Sequence, residues 1–341
     1  MKTITIRTWL LFTLLFLTVA FAPSQTQQQN QPDEIIRINT DLVVLDAQVL
    51  NKKTGRIVGG LKATDFLLYE DNVKQEITHF SQDKLPLSII LLLDVSGSVQ
   101  PVIKQIQMGA EQALQHLKAE DDVAVMAFGT KAELIQDFTK DRKLIAAQLE
   151  RVSNRDTVRH IGSATFINEG VYQAATHISR AASPISRRVI IVVTDNLSTQ
   201  MPFMAHSEKQ ATEQLFESGS VVCGLFVRSG MAKVQNVMEK DPRRILMKKI
   251  MSMGSISTYA DKTGGEVMNA KKEEVDVKLA ELITHLRTRY SLGYASSNSK
   301  RDSTLRKIKL RLSPEAEKRE SKPVVLTKQG YYARKLEPKP D

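Results

Sequence analysis

The sequence predicts an α/β protein in which a doubly wound, mostly parallel sheet is inserted in a small β domain. Between about residues 85 and 289, apolar runs typical of buried strands alternate with apolar residues at helical spacing. Such alternation predicts a mostly parallel sheet with helices on both faces. On either side of this stretch, apolar residues recur at every second position, as in half-buried strands. The length of 341 residues accommodates about two domains.

The first residues, 1–24, are predicted to be a signal peptide for secretion. Lys2 and Arg7 precede an apolar run of 14 residues, Trp9–Ala22, which ends in a small-x-small cleavage pattern. The run is shorter than the roughly 20 residues that span a bilayer, and an uncleaved N-terminal anchor is the alternative. Residues 25–32 are predicted to be a polar linker. The folded part is therefore expected to be secreted or periplasmic, in the cell envelope.

Residues 33–84 are predicted to form an N-terminal β segment. Alternating apolar side chains give the first strand one apolar face, formed by Val43, Leu45, Ala47 and Val49. Two shorter strands are predicted at Phe66–Tyr69 and Val73–Phe80, on either side of a turn at 70–72.

Residues 85–289 are predicted to form the α/β domain. Its strands are expected at Leu87–Leu93, Val123–Phe128, Leu134–Phe138, Val189–Val193, Val221–Val227 and Gly265–Met268. Its helices are expected at Val99–Leu117, Leu144–Val152, Ile167–Ile178, Ala211–Phe216, Ile245–Tyr259 and Val275–Leu286. The single cysteine, Cys223, falls in an apolar strand and is interpreted as a core residue. One cysteine excludes a disulfide scaffold and any metal site that needs several thiolates.

Residues 290–336 are predicted to form a C-terminal β segment, followed by a tail at 337–341. One strand alternates between an apolar face and a basic face, formed by Ile308, Leu310 and Leu312 and by Lys307, Lys309 and Arg311. Further strands are predicted at Val324–Leu326 and Tyr331–Ala333. Neither flanking segment has enough strands for a stable sheet. The two are therefore expected to pair, with the α/β domain inserted between them.

The net charge of +10 is concentrated near the C-terminus, where residues 287–341 contain 15 Lys or Arg and six Asp or Glu. Such a surplus favours contact with an anionic envelope surface. Nucleic acid is not expected as a partner. A protein that binds nucleic acid would carry aromatic residues among the basic ones on the same face and would lie inside the cell, and the sequence predicts neither. The basic residues Lys307, Lys309 and Arg311 are interpreted as the solvated face of an edge strand.

Polar residues follow the predicted strands at the carboxyl edge of the sheet, where open α/β sheets bind ligands. Asp94, Ser96 and Ser98 follow the first buried strand. Asp195 follows the fourth strand, and Thr165 lies in a loop between them. Carboxylate and hydroxyl oxygens favour a hard divalent cation, Mg²⁺ first, with Mn²⁺ or Ca²⁺ as alternatives. The first three residues by themselves are equally compatible with a helix N-cap.

The pattern Asp94-x-Ser96-x-Ser98, with the distant Thr165 and Asp195, resembles the metal-ion-dependent adhesion site (MIDAS) of von Willebrand factor type A domains. Four flanking motifs resemble a family of exported bacterial proteins related to von Willebrand factor A: Gly60-Leu61-x-x-x-Asp65-Phe66, Leu85-Pro86-Leu87-Ser88, Tyr290-x-Leu292-Gly293-Tyr294 and Gly330-Tyr331-Tyr332-Ala333. The resemblance covers nearly the whole mature chain. It implies that the three hydroxyls bind the metal directly and that the two carboxylates act mostly through water. An Asp or Glu of a protein partner would then complete the coordination.

The resemblance also implies a Rossmann-like sheet whose last helix, here about 273–289, can slide and change affinity. Two residues depart from the family pattern. Asn196 follows Asp195 where Gly is usual, and Asn72 replaces the Gly of an Asp-Gly turn. Asn tolerates the left-handed backbone that favours Gly at such positions. Neither departure is therefore expected to affect the metal site.

Four residues are candidates for partner contacts near the predicted site. Met201, Phe203 and Met204 follow Asp195 and either form an apolar patch beside the metal or pack beneath their loop. His160 is placed in the loop before Thr165, where it either approaches the site or is solvated.

The favoured interpretation is an exported, adhesion-type module that captures an acidic residue of a protein partner through a Mg²⁺-type ion. One alternative is an envelope scaffold whose metal only stabilises loops, and another is a metal-dependent hydrolase. An enzyme is not expected, because Ser96 lacks a Gly-x-Ser-x-Gly elbow and no base is placed by spacing to serve it. The sequence specifies neither the partner's identity nor the oligomeric state.

Overall fold

The structure is a computed structural model and is described here for residues 42–82, 85–183, 185–199, 205–228, 254–320 and 322–333. The predicted signal peptide (1–24), linker (25–32) and C-terminal tail (337–341) lie outside these residues. Within the described ranges, no helix combines the length and the apolar character needed to cross a membrane.

The strands are β1 (Leu42–Asn51), β2 (Phe66–Glu70), β3 (Val73–Gln75), β4 (His79–Ser81), β5 (Leu87–Asp94), β6 (Asp122–Phe128), β7 (Ala132–Thr139), β8 (Arg187–Thr194), β9 (Val221–Arg228), β10 (Val267–Lys271), β11 (Tyr290–Ala295), β12 (Leu305–Leu312), β13 (Pro323–Thr327) and β14 (Gly330–Tyr332). The α-helices are α1 (Ile103–Ala113), α2 (Arg142–Val152), α3 (Arg155–Ile161), α4 (Ile167–Ile178), α5 (Glu208–Ser218), α6 (Ile256–Thr263), α7 (Val275–Arg287) and α8 (Pro314–Arg319). Short 3-10 helices occur at Ala63–Asp65, Gln100–Val102, Leu114–His116 and Lys272–Glu274.

A six-stranded sheet in the order β10-β9-β8-β5-β6-β7 forms the centre of the α/β part. All neighbouring strands are parallel except β7, which is antiparallel to β6. Every residue of β5 is buried, as its continuous apolar sequence predicts. Ile89, Leu91 and Leu93 pack with α1, α2 and α7, whereas Ile90 and Leu92 face α4, α5 and α6. The central strand is thus covered by helices on both faces.

Two four-stranded antiparallel sheets enclose a separate core, in the orders β13-β1-β11-β4 and β14-β12-β2-β3. In the first sheet, β1 pairs with β11 and β13, and in the second β2 pairs with β12. Strands of the N-terminal and C-terminal segments therefore pair with each other, and the α/β part lies between these segments in sequence. The predicted fold class, a mostly parallel α/β sheet inserted in a small β domain, is confirmed.

Tyrosines of the flanking motifs join the N-terminal and C-terminal strands through hydrogen bonds. The hydroxyls of Tyr294 and Tyr331 donate to Oε2 of the buried Glu70, at 2.5 and 2.9 Å. The hydroxyl of Ser296 donates to Oε1 of the same carboxylate at 2.6 Å. The Tyr290 hydroxyl donates to the carbonyl oxygen of Val58 at 3.0 Å. Buried polar groups need such partners, which explains why these residue types stand where the two segments meet.

Three local predictions are wrong. The strand predicted at Val73–Phe80 is two strands, β3 and β4, which belong to different sheets. β12 alternates in burial as predicted, but it lies between β14 and β2 and is therefore not an edge strand. The helix predicted at Ile245–Tyr259 does not include residues 254 and 255, because α6 begins at Ile256 and extends to Thr263. Residues 245–253 of that prediction lie outside the described ranges.

Candidate metal centre

The loop after β5 folds back on the end of its own strand. Oδ1 of Asp94 accepts a hydrogen bond from the Ser96 amide at 2.8 Å. The hydroxyl oxygens of Ser96 and Ser98 lie 3.2 Å apart. Asp94 and Ser96 are buried, whereas Gly97 is exposed and Ser98 is half-buried. Two hydroxyls and one carboxylate thus lie together just beneath the surface.

The loop after β8 brings a second carboxylate to the same place. The Thr194 hydroxyl donates to Oδ2 of Asp94 at 2.5 Å, which joins the ends of the two neighbouring strands. Oδ1 of Asp195 accepts a hydrogen bond from the Leu197 amide at 3.1 Å. Oδ2 of Asp195 is buried and has no hydrogen-bond partner among the described residues.

Thr165 belongs to a third loop that hydrogen-bonds both of the others. The Gly97 amide donates to the Ser163 carbonyl oxygen at 3.0 Å. The Thr165 amide donates to Oγ1 of Thr199 at 2.8 Å, and the Thr199 amide donates to the Thr165 carbonyl oxygen at 3.0 Å. Thr165 is buried. The structure therefore brings Asp94, Ser96, Ser98, Thr165 and Asp195 onto three mutually bonded loops at the carboxyl edge of the sheet.

Burial opposes ionisation of both carboxyl groups. Desolvation raises the pKa of Asp94 to about 6, although the hydrogen bonds from Ser96 and Thr194 act in the opposite direction. The neighbouring charge of Asp195 raises the pKa of Asp94 further. Desolvation also raises the pKa of Asp195. Within the described part of the chain, no Lys, Arg or His compensates either group, so the two negative charges are left without a protein cation.

The donor chemistry of these loops fits a hard divalent cation. Two carboxylates match a charge of +2, and the three hydroxyls supply neutral oxygen ligands of the kind that Mg²⁺ and Ca²⁺ accept. The orphaned Oδ2 of Asp195 would gain a partner, directly or through water. No group of three or more His, Cys, Asp or Glu that could hold a metal ion occurs in the described ranges, and the candidate centre itself combines only two carboxylates with three hydroxyls.

Of the four residues predicted to contact a partner, only His160 lies within the described residues, and its described contact is with Glu133 on β7. The prediction that His160 lies in a loop is wrong, because His160 belongs to helix α3. The side chain of Asn154 caps this helix. Nε2 of His160 lies 2.7 Å from Oε1 of Glu133, and the His160 side chain is 66% exposed. Met201, Phe203 and Met204 lie outside the described residues.

Three polar residues of the centre were missed as site residues: Thr194, Asn196 and Thr199. Thr194 could have been identified from the sequence, because it ends a buried strand at the carboxyl edge of the sheet, where ligands bind. Thr199 and Asn196 carry no such signal, since their partners, Thr165 and Ile256, are distant in sequence. Asn196 has a φ of +62° and Asn72 a φ of +68°, so both adopt the left-handed backbone expected of them.

The larger recesses of the described structure lie elsewhere. A groove of about 1200 Å³ runs between α5 and α6 on one side and β12, β13 and β14 on the other. A second recess of about 640 Å³ is lined by Thr130, Glu169 and His206 among others. None of the five predicted ligands lines either recess. The candidate centre is therefore separate from these two recesses.

Several solved structures are similar to this chain at low sequence identity. Proximal thread matrix protein 1 of the mussel byssus is 16% identical with a TM-score of 0.43, covering 61% of this chain and 50% of that chain. This chain thus spans about half the length of the mussel protein. Another structure of that protein, with a zinc-occupied MIDAS motif, is 16% identical with a TM-score of 0.43, covering 60% and 49%. The conserved hypothetical protein BatB of Bacteroides thetaiotaomicron is 17% identical with a TM-score of 0.42, covering 58% and 97%.

Comparison with curated proteins gives no match. The family comparison covers about the first half of the α/β part, from β5 to the loop after β8. All five predicted metal ligands fall within that stretch. Residues 89–198 match the family model of the von Willebrand factor type A domain.

Proposed function

We propose that this protein is a metal-dependent protein-binding module. In this proposal Asp94, Ser96, Ser98, Thr165 and Asp195 hold a divalent cation, and the ion captures a carboxylate of a protein partner. The observation that carries the proposal is the pair of buried carboxylates that no cation among the described residues accompanies, one of which has an oxygen without a described hydrogen-bond partner. An uncompensated buried charge is costly, so a site that retains two of them points to a bound cation.

The hydroxyls and the carboxylates of the chain have different roles in such a site. The three hydroxyls would offer neutral oxygens, which add no further negative charge to repel an incoming anion. The two carboxylates balance that charge, and the Thr194 hydroxyl and the Ser96 amide fix the orientation of Asp94. A bound Mg²⁺ supplies the electrostatic attraction for the partner's acid group. The exposed Gly97 and half-buried Ser98 mark the side from which that group approaches.

The proposal names Mg²⁺ first, because the donors are oxygen atoms alone and Mg²⁺ keeps water in its unfilled positions. Mn²⁺ and Ca²⁺ accept the same ligands. The proposed location is the cell envelope or the exterior, which rests on the N-terminal charge and apolar pattern.

Two other functions, a hydrolase and a scaffold, differ from metal-dependent partner binding in what they require of the site. A hydrolase needs a base within hydrogen-bond reach of an activated water. In the described structure His160 is paired with Glu133 and so is not placed as such a base, which favours binding over catalysis. A scaffold with a purely structural metal would lose stability without metal but would not need an open coordination position.

The test measures partner capture and metal binding on the same variants. The full chain is immobilised and incubated with envelope extract, in Mg²⁺ or in chelator, beside Asp195→Ala and a control, Asp156→Ala, which changes an exposed aspartate on α3. Mn²⁺ binding is followed by the loss of the free-ion magnetic resonance signal. We expect capture that needs Mg²⁺, and loss of both capture and Mn²⁺ binding in Asp195→Ala only. Capture that ignores chelator and substitution contradicts the binding proposal, and metal-dependent stability without metal-dependent capture favours the scaffold.

A further inference from the structure

The loop that carries Asp195 is fastened to the start of a distant helix by one side chain. Oδ1 of Asn196 accepts a hydrogen bond from the Ile256 amide at 3.1 Å, in the first turn of α6. Nδ2 of Asn196 donates to the Ser255 hydroxyl at 3.3 Å. Asn196 is buried and is separated from Ile256 by 60 positions in sequence. Its side chain thus accepts a hydrogen bond from a backbone N–H group that has no partner within the helix.

The same residue is connected to the first carboxylate through its backbone. The Asn196 amide donates to Oγ1 of Thr194 at 2.9 Å, and the Thr194 hydroxyl donates to Oδ2 of Asp94. An unbroken series of hydrogen bonds therefore runs from the start of α6 through Asn196 and Thr194 to Asp94. Glycine at position 196 would allow the same left-handed backbone but would remove the two side-chain bonds.

A second contact joins α6 to the first turn of α4, the helix that follows the loop of Thr165. The Tyr259 hydroxyl donates to Oδ1 of Asn168 at 2.7 Å, and Asn168 stands three positions after Thr165 on α4. Both side chains are fully buried. Just before α6, a Cβ atom at Gly254 would lie 1.7 Å from the same Oδ1, so only glycine allows this close approach. Helix α6 thus contacts the Asp195 loop and the helix that follows the Thr165 loop.

We infer that Asn196 is a positioning residue for the metal centre, and that it holds the Asp195 loop in its binding geometry by anchoring it to α6. This inference rests on the proposed metal site. A loop that is bonded at both neighbours of Asp195 has fewer conformations to lose when the ion binds. Residues that orient metal ligands typically change metal affinity by about 10- to 100-fold when they are replaced.

The decisive comparison is Asn196→Gly against Asn154→Gly. Both substitutions remove an asparagine that accepts a hydrogen bond at the start of a helix, but Asn154 caps α3 and does not contact the three loops. Mn²⁺ affinity of the full chain is measured by magnetic resonance titration, and stability by urea unfolding. We expect Asn196→Gly to weaken Mn²⁺ binding about tenfold and Asn154→Gly to leave it unchanged. Equal affinities in the two variants overturn the inference, whatever their stabilities.

Two further variants separate positioning from a general loss of stability. Asn196→Asp keeps an oxygen that accepts from the Ile256 amide, so we expect it to retain Mn²⁺ binding that Asn196→Gly loses. Tyr259→Phe removes the contact to Asn168 without touching the Asp195 loop, and we expect a smaller loss of affinity. If Asn196→Asp binds as weakly as Asn196→Gly, the hydrogen bond to α6 has no positioning role.

Hydrogen exchange without metal distinguishes failure of this inference from failure of the proposed function. The Thr199 amide, which donates to the Thr165 carbonyl oxygen, reports whether the loops stay together. We expect it to exchange faster in Asn196→Gly than in the unchanged protein, and at an unchanged rate in Asn154→Gly. If the unchanged protein binds no Mn²⁺, the proposed function is wrong, and the exchange rates alone decide whether Asn196 fastens the loop. An unaltered Thr199 rate in Asn196→Gly contradicts the inference.

Discussion

The two edges of the six-stranded sheet contain buried carboxylates in opposite settings. At the amino edge, Asp121 precedes β6 and is paired with Arg287, while Arg187 at the start of β8 donates to Asp46 at 3.2 Å. Asp121 also accepts from the Leu87 amide at 2.9 Å. At the carboxyl edge, Asp94 and Asp195 have no such cation in the described structure. Among the described residues, guanidinium groups accompany the carboxylates of the amino edge, whereas no cation accompanies those of the carboxyl edge.

The difference teaches that a buried aspartate becomes a candidate ligand through what surrounds it. Arg187 also donates to the carbonyl oxygens of Leu286 and Arg289, at 3.1 and 3.0 Å, and so ties the end of α7 to the β domain. These charges serve the junction of the two parts of the molecule. The carboxyl edge uses hydroxyls where the amino edge uses guanidinium groups, and hydroxyls cannot neutralise a carboxylate.

The largest expected effect is at the amino edge, with Arg187→Ala. The substitution removes the cation beside Asp46, which keeps only the Ser291 hydroxyl as a described hydrogen-bond partner, and the donor to two carbonyl oxygens, so we expect unfolding free energy to fall by about 3 kcal/mol. Urea unfolding measures this, with Arg188→Ala as the control, because its side chain makes one part-buried bond to the Ser218 carbonyl oxygen. Mn²⁺ affinity of the folded protein should stay unchanged. A loss of affinity without a loss of stability would show that the two edges are not separate in function.

The next effect has the opposite sign and concerns Asp94. Its folded pKa of about 6 lies above the ordinary aspartate value of 3.8, so the folded state binds a proton more tightly than the unfolded state. Stability from this group is therefore present below about pH 4 and lost as the pH rises to about 6. In chelator at pH 7.5, we expect Asp94→Asn to raise the unfolding free energy by about 1–3 kcal/mol and to abolish stabilisation by Mg²⁺.

Thermal unfolding in chelator across pH 4 to 8 checks this expectation, with the exposed Asp156→Asn as the matched control. The unchanged protein should lose stability between about pH 4 and 6 more steeply than Asp94→Asn. If Asp94→Asn is less stable than the unchanged protein in chelator, the charge of Asp94 is compensated within the chain and the contrast between the edges is wrong.

The smallest expected effect is that of His160→Ala. His160 is paired with Glu133 through a largely exposed contact, and such pairs contribute about 0–1 kcal/mol. We expect little change in unfolding free energy and no change in Mn²⁺ affinity. A clear loss of affinity would place His160 in the function of the site despite its position in α3.

Local periodicity was sufficient to predict the fold class and several elements. Helix α4 has the predicted bounds, Ile167–Ile178, because its apolar stripe reports the face that it buries. The run from Leu87 to Leu93 predicted a strand covered on both faces, and β5 is entirely buried. The residue types Asp94, Ser96, Ser98, Thr165 and Asp195 predicted oxygen donors at strand ends, and their role as ligands stays a prediction.

Other features could not be predicted, because they depend on partners far away in sequence. Nothing within Val73–Phe80 shows that β3 pairs with β2 while β4 pairs with β11. The central position of β12 arises only when β14 returns beside it. His160 was assigned to a loop because α3 spans only seven residues, too few for a clear apolar period.

The sequence alone determined the alternation of apolar residues, the kinds of oxygen donor and the positions where they follow strands. These are local properties, set by which side chains a strand or helix must bury. The tertiary structure decided which charges are compensated, since Arg187 and Arg287 reach carboxylates at one edge and no cation in the described ranges reaches those at the other. It also decided that Asn196 contacts α6. Both depend on packing between distant segments, which no short stretch of sequence contains.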